Sequence, residues 1–154
     1  MTSRSNIGSM EFLRHALATL AYRGGKVLQN APEGFADFSA GAGVRTPGQI
    51  LAHVGDLFDW AMLLAQGTHA WRNSDPLPWP QEVERFFNGI KTLDDYLTGP
   101  APLACPPERF FQGPIADALT HVGQLALLRR MAGSPVPGEN FFRAPIEVGK
   151  LRIE

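Results

Sequence analysis

Proline and glycine divide this 154-residue chain into segments of about 20 residues, each with apolar residues at helical spacing. The clearest segment is TPGQILAHVGDLFDWAMLLAQG, in which Thr46 and Gln49 fit a T-x-x-Q capping box. Pro47 occupies the first helical position, where its missing N–H is harmless, and Gly67 is a typical terminator. This punctuation predicts a helix from residue 47 to about residue 66.

Two later segments follow the same rule. Pro80 opens WPQEVERFFNGIKTLDDYLTGP and Gly99 closes it, which predicts a second helix of similar length. The segment from the Gly113-Pro114 pair to Gly133 predicts another. The three predicted helices have similar lengths, which suits side-by-side packing in a bundle.

A fourth helix is expected near the N-terminus. Ser9 is a suitable N-cap, and the apolar pattern continues to about Gln29. Gly24 and Gly25 weaken this prediction, because each costs about 1 kcal/mol relative to alanine in a helix interior.

Four helices of similar length, each with one apolar stripe, bury those stripes best side by side. The predicted fold is therefore all-α, a four-helix bundle formed by a single domain over residues 1–154. The connections 30–46 and 67–79 are longer than the turns that join antiparallel neighbours, so at least one is expected to cross along the bundle. The tail is expected to pack across one end of the bundle through Ile146, Val148, Leu151 and Ile153.

The charge balance excludes partners that are recruited by a strong field. Lysine and arginine total 14 and aspartate and glutamate total 15, so neither nucleic acid nor an anionic membrane surface is an expected partner. The single cysteine, Cys105, suits a reducing compartment. The start MTSRSNIGSMEF lacks the apolar stretch of a signal peptide, and no run approaches the roughly 18 apolar residues of a membrane span. We therefore expect a soluble, cytoplasmic protein.

Polar residues on predicted buried faces are the most informative anomaly. His53 falls on the apolar face of the helix 47–66. Asp117 and His121 are four residues apart, so their side chains point in similar directions from one helix. An inward carboxylate is costly unless it is paired, and a cation bound by Asp117 and two neutral imidazoles removes that cost. The pattern predicts a divalent-metal site formed by His53, Asp117 and His121, with Gln124 placed to hydrogen-bond a ligand, a bound water or a neighbouring helix.

The residues alone leave a simpler interpretation open. An inward histidine is often a hydrogen-bonded core residue, and Asp117 can simply pair with His121 one turn away or lie favourably near its helix start. Asp56, next to the predicted site, is either an outer partner or base, or a surface carboxylate. The aromatic residues of the loops, Trp71 among them, are interpreted as packing or as the mouth of a site.

Two stretches, TPGQILAHVGDLFDW and DALTHVGQLALLRR, resemble the signature helices of DinB-like proteins. That bundle superfamily includes thiol-dependent transferases related to bacillithiol S-transferase and to mycothiol-dependent maleylpyruvate isomerase, and the likeness covers most of the chain. In the family, one histidine of the second helix and an H-x-x-x-H pair on the fourth, often followed by x-G-Q, bind a divalent metal. By this resemblance His53 and His121 match two ligands, and Asp117 replaces the first histidine of the pair. A two-histidine, one-carboxylate set suits Zn, Ni, Mn or Fe(II).

The resemblance also implies an arrangement and an activity. The family has an up-down-down-up bundle with a long crossover, and a homodimer is expected. His53 and His121 lie at similar depths from their predicted helix starts, so antiparallel helices must be offset lengthwise to bring them together. The implied activity is metal-dependent transfer of a low-molecular-weight thiol to a small-molecule substrate, favoured over hydrolysis. The alternative is a non-catalytic, stress-associated bundle with a structural or degraded metal site.

Overall fold

Four long helices dominate residues 2–152, which are the residues that the computed structural model describes. The first three are α1 (Thr2–Leu28), α2 (Pro47–Ala65) and α3 (Trp79–Thr98). The fourth, α4, is continuous and has three parts: an α-helical turn Pro107–Phe110, a π-helical turn Phe111–Ile115 and an α-helix Ala116–Met131. Short 3₁₀ turns occur at Phe35–Asp37 and Phe141–Arg143. The described part of the chain contains no strand, which confirms the predicted all-α class.

The capping chemistry of α2 is the one predicted from sequence. The Gln49 backbone N–H donates to the Thr46 hydroxyl over 3.2 Å, and the Thr46 N–H donates to the Gln49 side chain over 2.9 Å. The helix begins at Pro47 and is followed by Gly67, whose φ of 92° lies in the left-handed region that favours glycine. The predicted start at residue 47 is confirmed.

The starts of α1 and α4 differ from the predictions. Ser9 lies inside α1, which begins at Thr2, so the predicted N-cap is wrong. Helix α4 begins at Pro107, well before the predicted Gly113-Pro114 start. Pro114 lies within the π-helical turn instead, where the local change in hydrogen-bond spacing accommodates a residue with no N–H to donate.

Helices α2 and α3 run in the same direction. In the first half of each helix, the Arg85 guanidinium donates to the Ala52 carbonyl, and at their far ends the Tyr96 hydroxyl donates to the Ala65 carbonyl. Because early residues meet early residues, the connection 66–78 must return along the whole length of the bundle.

Helix α1 runs opposite to α3, since Arg14 pairs with Asp94 while Gly24 lies against Phe86. Phe86 fills the space beside Gly24 so closely that a methyl group there would overlap its ring, which explains a glycine inside this helix.

Helix α4 runs opposite to α2 and along α1. His121 meets His53, and Gly113 lies against Trp60 further along α2. In the contact with α1, the Arg129 guanidinium donates to the Val27 carbonyl. Each of α1 and α2 therefore packs against both α3 and α4.

The core lies between the four helices. Its largest fully buried apolar side chains come from all of them and include Leu13, Leu17, Leu20, Leu51, Phe86, Ile90, Leu93, Phe110 and Leu125. Among the described helices, none combines the length and the apolarity needed to cross a membrane.

The C-terminal tail lies along the side of the bundle. The Tyr22 hydroxyl of α1 donates to Glu139 over 2.8 Å, and Arg152 pairs with Glu84 of α3. The expectation that the tail packs across one end is therefore wrong, because polar contacts fix it against α1 and α3. Ile153, one of the apolar residues on which that expectation rested, lies outside the described residues.

Candidate metal centre

Helices α2 and α4 bring His53 and His121 side by side. His53 lies six residues after Pro47, at the start of α2, and His121 lies ten residues before Met131, at the end of α4. In an antiparallel pair the start of one helix adjoins the end of the other. The extra length of α4 before residue 113 supplies the lengthwise offset that the antiparallel arrangement requires.

Asp117 completes a compact cluster with the two histidines. Its Oδ1 lies 3.5 Å from His121 Nε2, and its Oδ2 lies 3.7 Å from His53 Nε2. The two imidazole centroids are 4.7 Å apart with ring planes at 84°. One ligand atom from each of the three residues lies within 4.8 Å of the other two. Around tetrahedral zinc, with bonds near 2.0–2.1 Å, neighbouring ligand atoms are about 3.3–3.5 Å apart. The two carboxylate-to-imidazole distances therefore need little adjustment to share an ion.

The cluster lies at the rim of the bundle. The side chains of His53 and His121 are 19% and 12% exposed, but that of Asp117 is 46% exposed. The expectation that Asp117 points into the interior is therefore wrong, and the cost of burying its charge is small. An ion held here would face solvent on the carboxylate side, which leaves room for a further ligand.

Gln124 fixes the orientation of His121. Its side-chain oxygen lies 2.7 Å from His121 Nδ1, so Nδ1 carries the proton and donates to that oxygen. The remaining lone pair of the neutral ring is then on Nε2, the atom nearest Asp117. This is the form in which imidazole binds metals, with its other nitrogen held by a hydrogen bond.

The surroundings of His53 favour its neutral form. Burial, followed by the nearby His121 and Arg45, lowers the pKa of His53, and Asp117 opposes this shift only in part. When His121 is neutral and carries its proton on Nδ1, its Nε2 lone pair faces Asp117, and a cation between them relieves the repulsion of the two electron pairs. When His121 is protonated, the Nε2 proton faces Asp117 and the two side chains form an ion pair without a metal.

Asp56 belongs to a different network. It is 4% exposed, so its interpretation as a surface carboxylate is wrong. It accepts hydrogen bonds from the Ser74 backbone and hydroxyl and from Arg85, at 2.7–2.8 Å. Burial alone would raise the pKa of Asp56, but these hydrogen bonds outweigh burial and lower it. Asp56 anchors the connection 66–78 to α2 and α3, and its hydrogen bonds go to these partners rather than to His53.

That connection places Trp71 beside the cluster. The Trp71 ring lies 5.5 Å from the His53 ring, and its indole N–H donates to Asn73. The interpretation of Trp71 as part of a site mouth fits this position.

Two cavities flank the cluster. One, of about 530 Å³, lies beside His121 and Gln124 and is lined by apolar side chains: Val44, Ile50, Leu127, Leu128 and Met131. The other, of about 230 Å³, is polar and lies beside His53 and Asp56. Arg45 lines both, a feature that no sequence pattern indicated.

In comparisons with known proteins, no protein-family model matches the chain, and no curated protein or solved structure matches it either. The meaning of the cluster therefore depends on its geometry and chemistry.

Proposed function

We propose that this protein is a divalent-metal-binding, DinB-like bundle, in which His53, Asp117 and His121 hold the ion. One observation carries the proposal: three metal-ligand side chains from two antiparallel helices meet within 4.8 Å. The hydrogen bond between Gln124 and His121 supports it, because it presents the correct nitrogen.

The directions of the helices support the DinB-like assignment. Helices α1 and α4 run one way, and α2 and α3 run the other, joined by the long connection 66–78. This is the up-down-down-up order that the sequence resemblance implies.

The proposed activity is transfer of a low-molecular-weight thiol, with hydrolysis as the less favoured reaction. A bound Zn, Ni, Mn or Fe(II) ion would supply a site that stabilises a thiolate or lowers the pKa of water. In this proposal Gln124 fixes the orientation of His121. The apolar cavity beside these two residues accepts the body of a small-molecule substrate. We further propose a cytoplasmic location and a homodimer, both on the strength of the resemblance.

Metal analysis tests the site directly. The full chain, purified without a nickel column, is loaded with zinc, dialysed and analysed for metal by mass spectrometry. We expect about one ion per chain, and a loss of at least tenfold in affinity for His121→Ala and Asp117→Ala. His15→Ala, an exposed histidine on α1, is the matched control and should bind like the unaltered protein. Equal metal content in all four proteins would refute the site.

The exposure of Asp117 favours a second candidate function. A half-exposed carboxylate in place of a histidine fits a non-catalytic bundle with a structural or degraded metal site. Incubation of the metal-loaded protein with a low-molecular-weight thiol and a panel of electrophiles separates the two. Acceleration that disappears in His121→Ala supports the enzyme, whereas stoichiometric metal without acceleration supports the structural site.

A further inference from the structure

Arg45 is an exposed cation beside the candidate metal centre. It directly precedes Thr46, the N-cap of α2, and its side chain is exposed. Within the described part of the chain, it forms no ion pair and no hydrogen bond. Asp75 lines the same polar cavity but does not pair with it. In contrast, Arg85 in the neighbouring network is bound by two aspartates.

The position of Arg45 links the two cavities. It lines the polar cavity next to His53 and the apolar cavity next to His121. Its charge also lowers the pKa of His53, so it is electrostatically coupled to the cluster. An anion bound by Arg45 would therefore lie near the candidate ligands.

The apolar cavity is lined by large side chains that are left partly open to solvent. Val44 is 49% exposed, Leu127 is 57% exposed and Met131 is 51% exposed. Exposed apolar side chains gathered around one concave site are typical of a ligand site. A guanidinium at the edge of such a cavity complements a molecule that has an apolar body and one anionic end.

We propose that Arg45 is the anion-binding residue of this site, and that the site takes a small carboxylic acid. The carboxylate binds the guanidinium, and the apolar body occupies the cavity formed by Val44, Leu127 and Met131. This inference names the substrate class of the proposed function and rests on it for the role of the site. The binding contacts themselves need no metal, so they are measured separately from it.

Octanoate and octanamide, which share one apolar chain and differ in charge, test the proposal. Their affinities for the full chain are measured by calorimetry, first with metal-free protein and then with zinc-loaded protein. We expect metal-free protein to prefer octanoate by about tenfold, because a charge-assisted bidentate pair replaces a neutral contact. Hexanoate should bind several-fold more weakly than octanoate, because it buries two fewer methylene groups.

Variants of Arg45 decide which cation is responsible. Arg45→Met is expected to remove the preference for octanoate, and Arg45→Lys is expected to keep part of it. Arg130→Met is the matched control, since Arg130 is exposed on α4 and lines neither cavity, and it should keep the full preference. Circular dichroism melting confirms that the variants are folded.

Two results would overturn the proposal. One is equal binding of octanoate and octanamide to the metal-free protein, and the other is a preference that survives Arg45→Met. Zinc content is measured on the same samples. Failure to bind zinc, with a preference for octanoate that depends on Arg45, refutes the proposed function and supports acid binding. Normal zinc binding without that preference supports the proposed metal site and refutes acid binding.

Discussion

Replacing Gln124 with leucine tests whether its hydrogen bond to His121 organises the candidate metal centre. Gln124 makes a 2.7 Å hydrogen bond to Nδ1 of His121, whose side chain is 12% exposed. Loss of such an outer partner typically weakens metal binding by about 10–100-fold, which corresponds to about 1.4–2.8 kcal/mol. Because Gln124 is itself exposed, water can replace part of the hydrogen bond, so we expect a loss of about tenfold.

The assay is competition for zinc against a chelating indicator at pH 7.5. Gln124→Glu provides the conservative comparison, because a carboxylate accepts the Nδ1 proton at least as well as an amide does. We expect Gln124→Glu to bind zinc as tightly as the unaltered protein or more tightly. Gln112→Leu, an exposed position on the same helix, controls for the added apolar surface and should leave the affinity unchanged.

A Gln124→Leu protein that binds zinc within twofold of the unaltered protein would refute this reasoning. It would mean that His121 is oriented by packing alone. A large loss in Gln112→Leu would instead point to a general effect on α4.

Four substitutions away from the three candidate metal ligands probe the fold by urea unfolding and thermal melting. Burial raises the pKa of Glu82, and Arg85, 3.6 Å away, opposes this shift only in part. The contribution of Glu82 to stability is therefore present at low pH and is lost as pH rises through the folded pKa. Glu82→Gln should therefore stabilise by on the order of 1 kcal/mol at pH 8 and by less near pH 4, and the opposite order would contradict the sign. Arg85→Met leaves buried carboxylates without their cation and should cost about 3–5 kcal/mol at pH 7, with a loss under about 1 kcal/mol as the contrary result. Gly24→Ala should destabilise the protein by about 1–3 kcal/mol, because the Phe86 ring occupies the space that the added methyl group needs. Gly123→Ala meets no neighbour and should stabilise the protein by up to about 1 kcal/mol. Equal melting shifts for the two variants would refute this.

Helix boundaries were predictable where local capping chemistry marks them. The start of α2 depends on Thr46, Pro47 and Gln49, which are adjacent in sequence, so no distant contact is needed to place it. Pro114 also has the composition of a helix start, but a π-helical turn accommodates it within α4. Whether the chain before a proline is already helical depends on its packing, which local sequence does not specify.

The candidate site was also predictable only where local sequence determines it. Asp117 and His121 share one helix, so their spacing alone predicted that they would be neighbours. Their meeting with His53 depends on how α4 packs against α2, which local sequence does not specify. The same packing leaves Asp117 half exposed, which the apolar pattern of this segment did not indicate.

Arg45 and Trp71 lie on the connections between helices, where no periodic pattern applies. Trp71 reaches His53 because Ser74, three residues later, is bound by Asp56 of α2. The path of that connection therefore depends on a contact between residues 18 positions apart. Such contacts are visible only once the fold is known.

The length of the connection 66–78 also limits the direction in which α3 can pack. Helix α2 is about 28 Å long, and thirteen residues span at most about 43–47 Å when fully extended. Reaching the start of α3 therefore requires at least about nine of them, so a deletion of more than about four residues would prevent α3 from lying parallel to α2. A chain shortened in this way would have to reverse α3, which would separate Arg85 from Asp56. The length of this connection, together with the contacts between the helices, therefore determines the relative directions of α2 and α3.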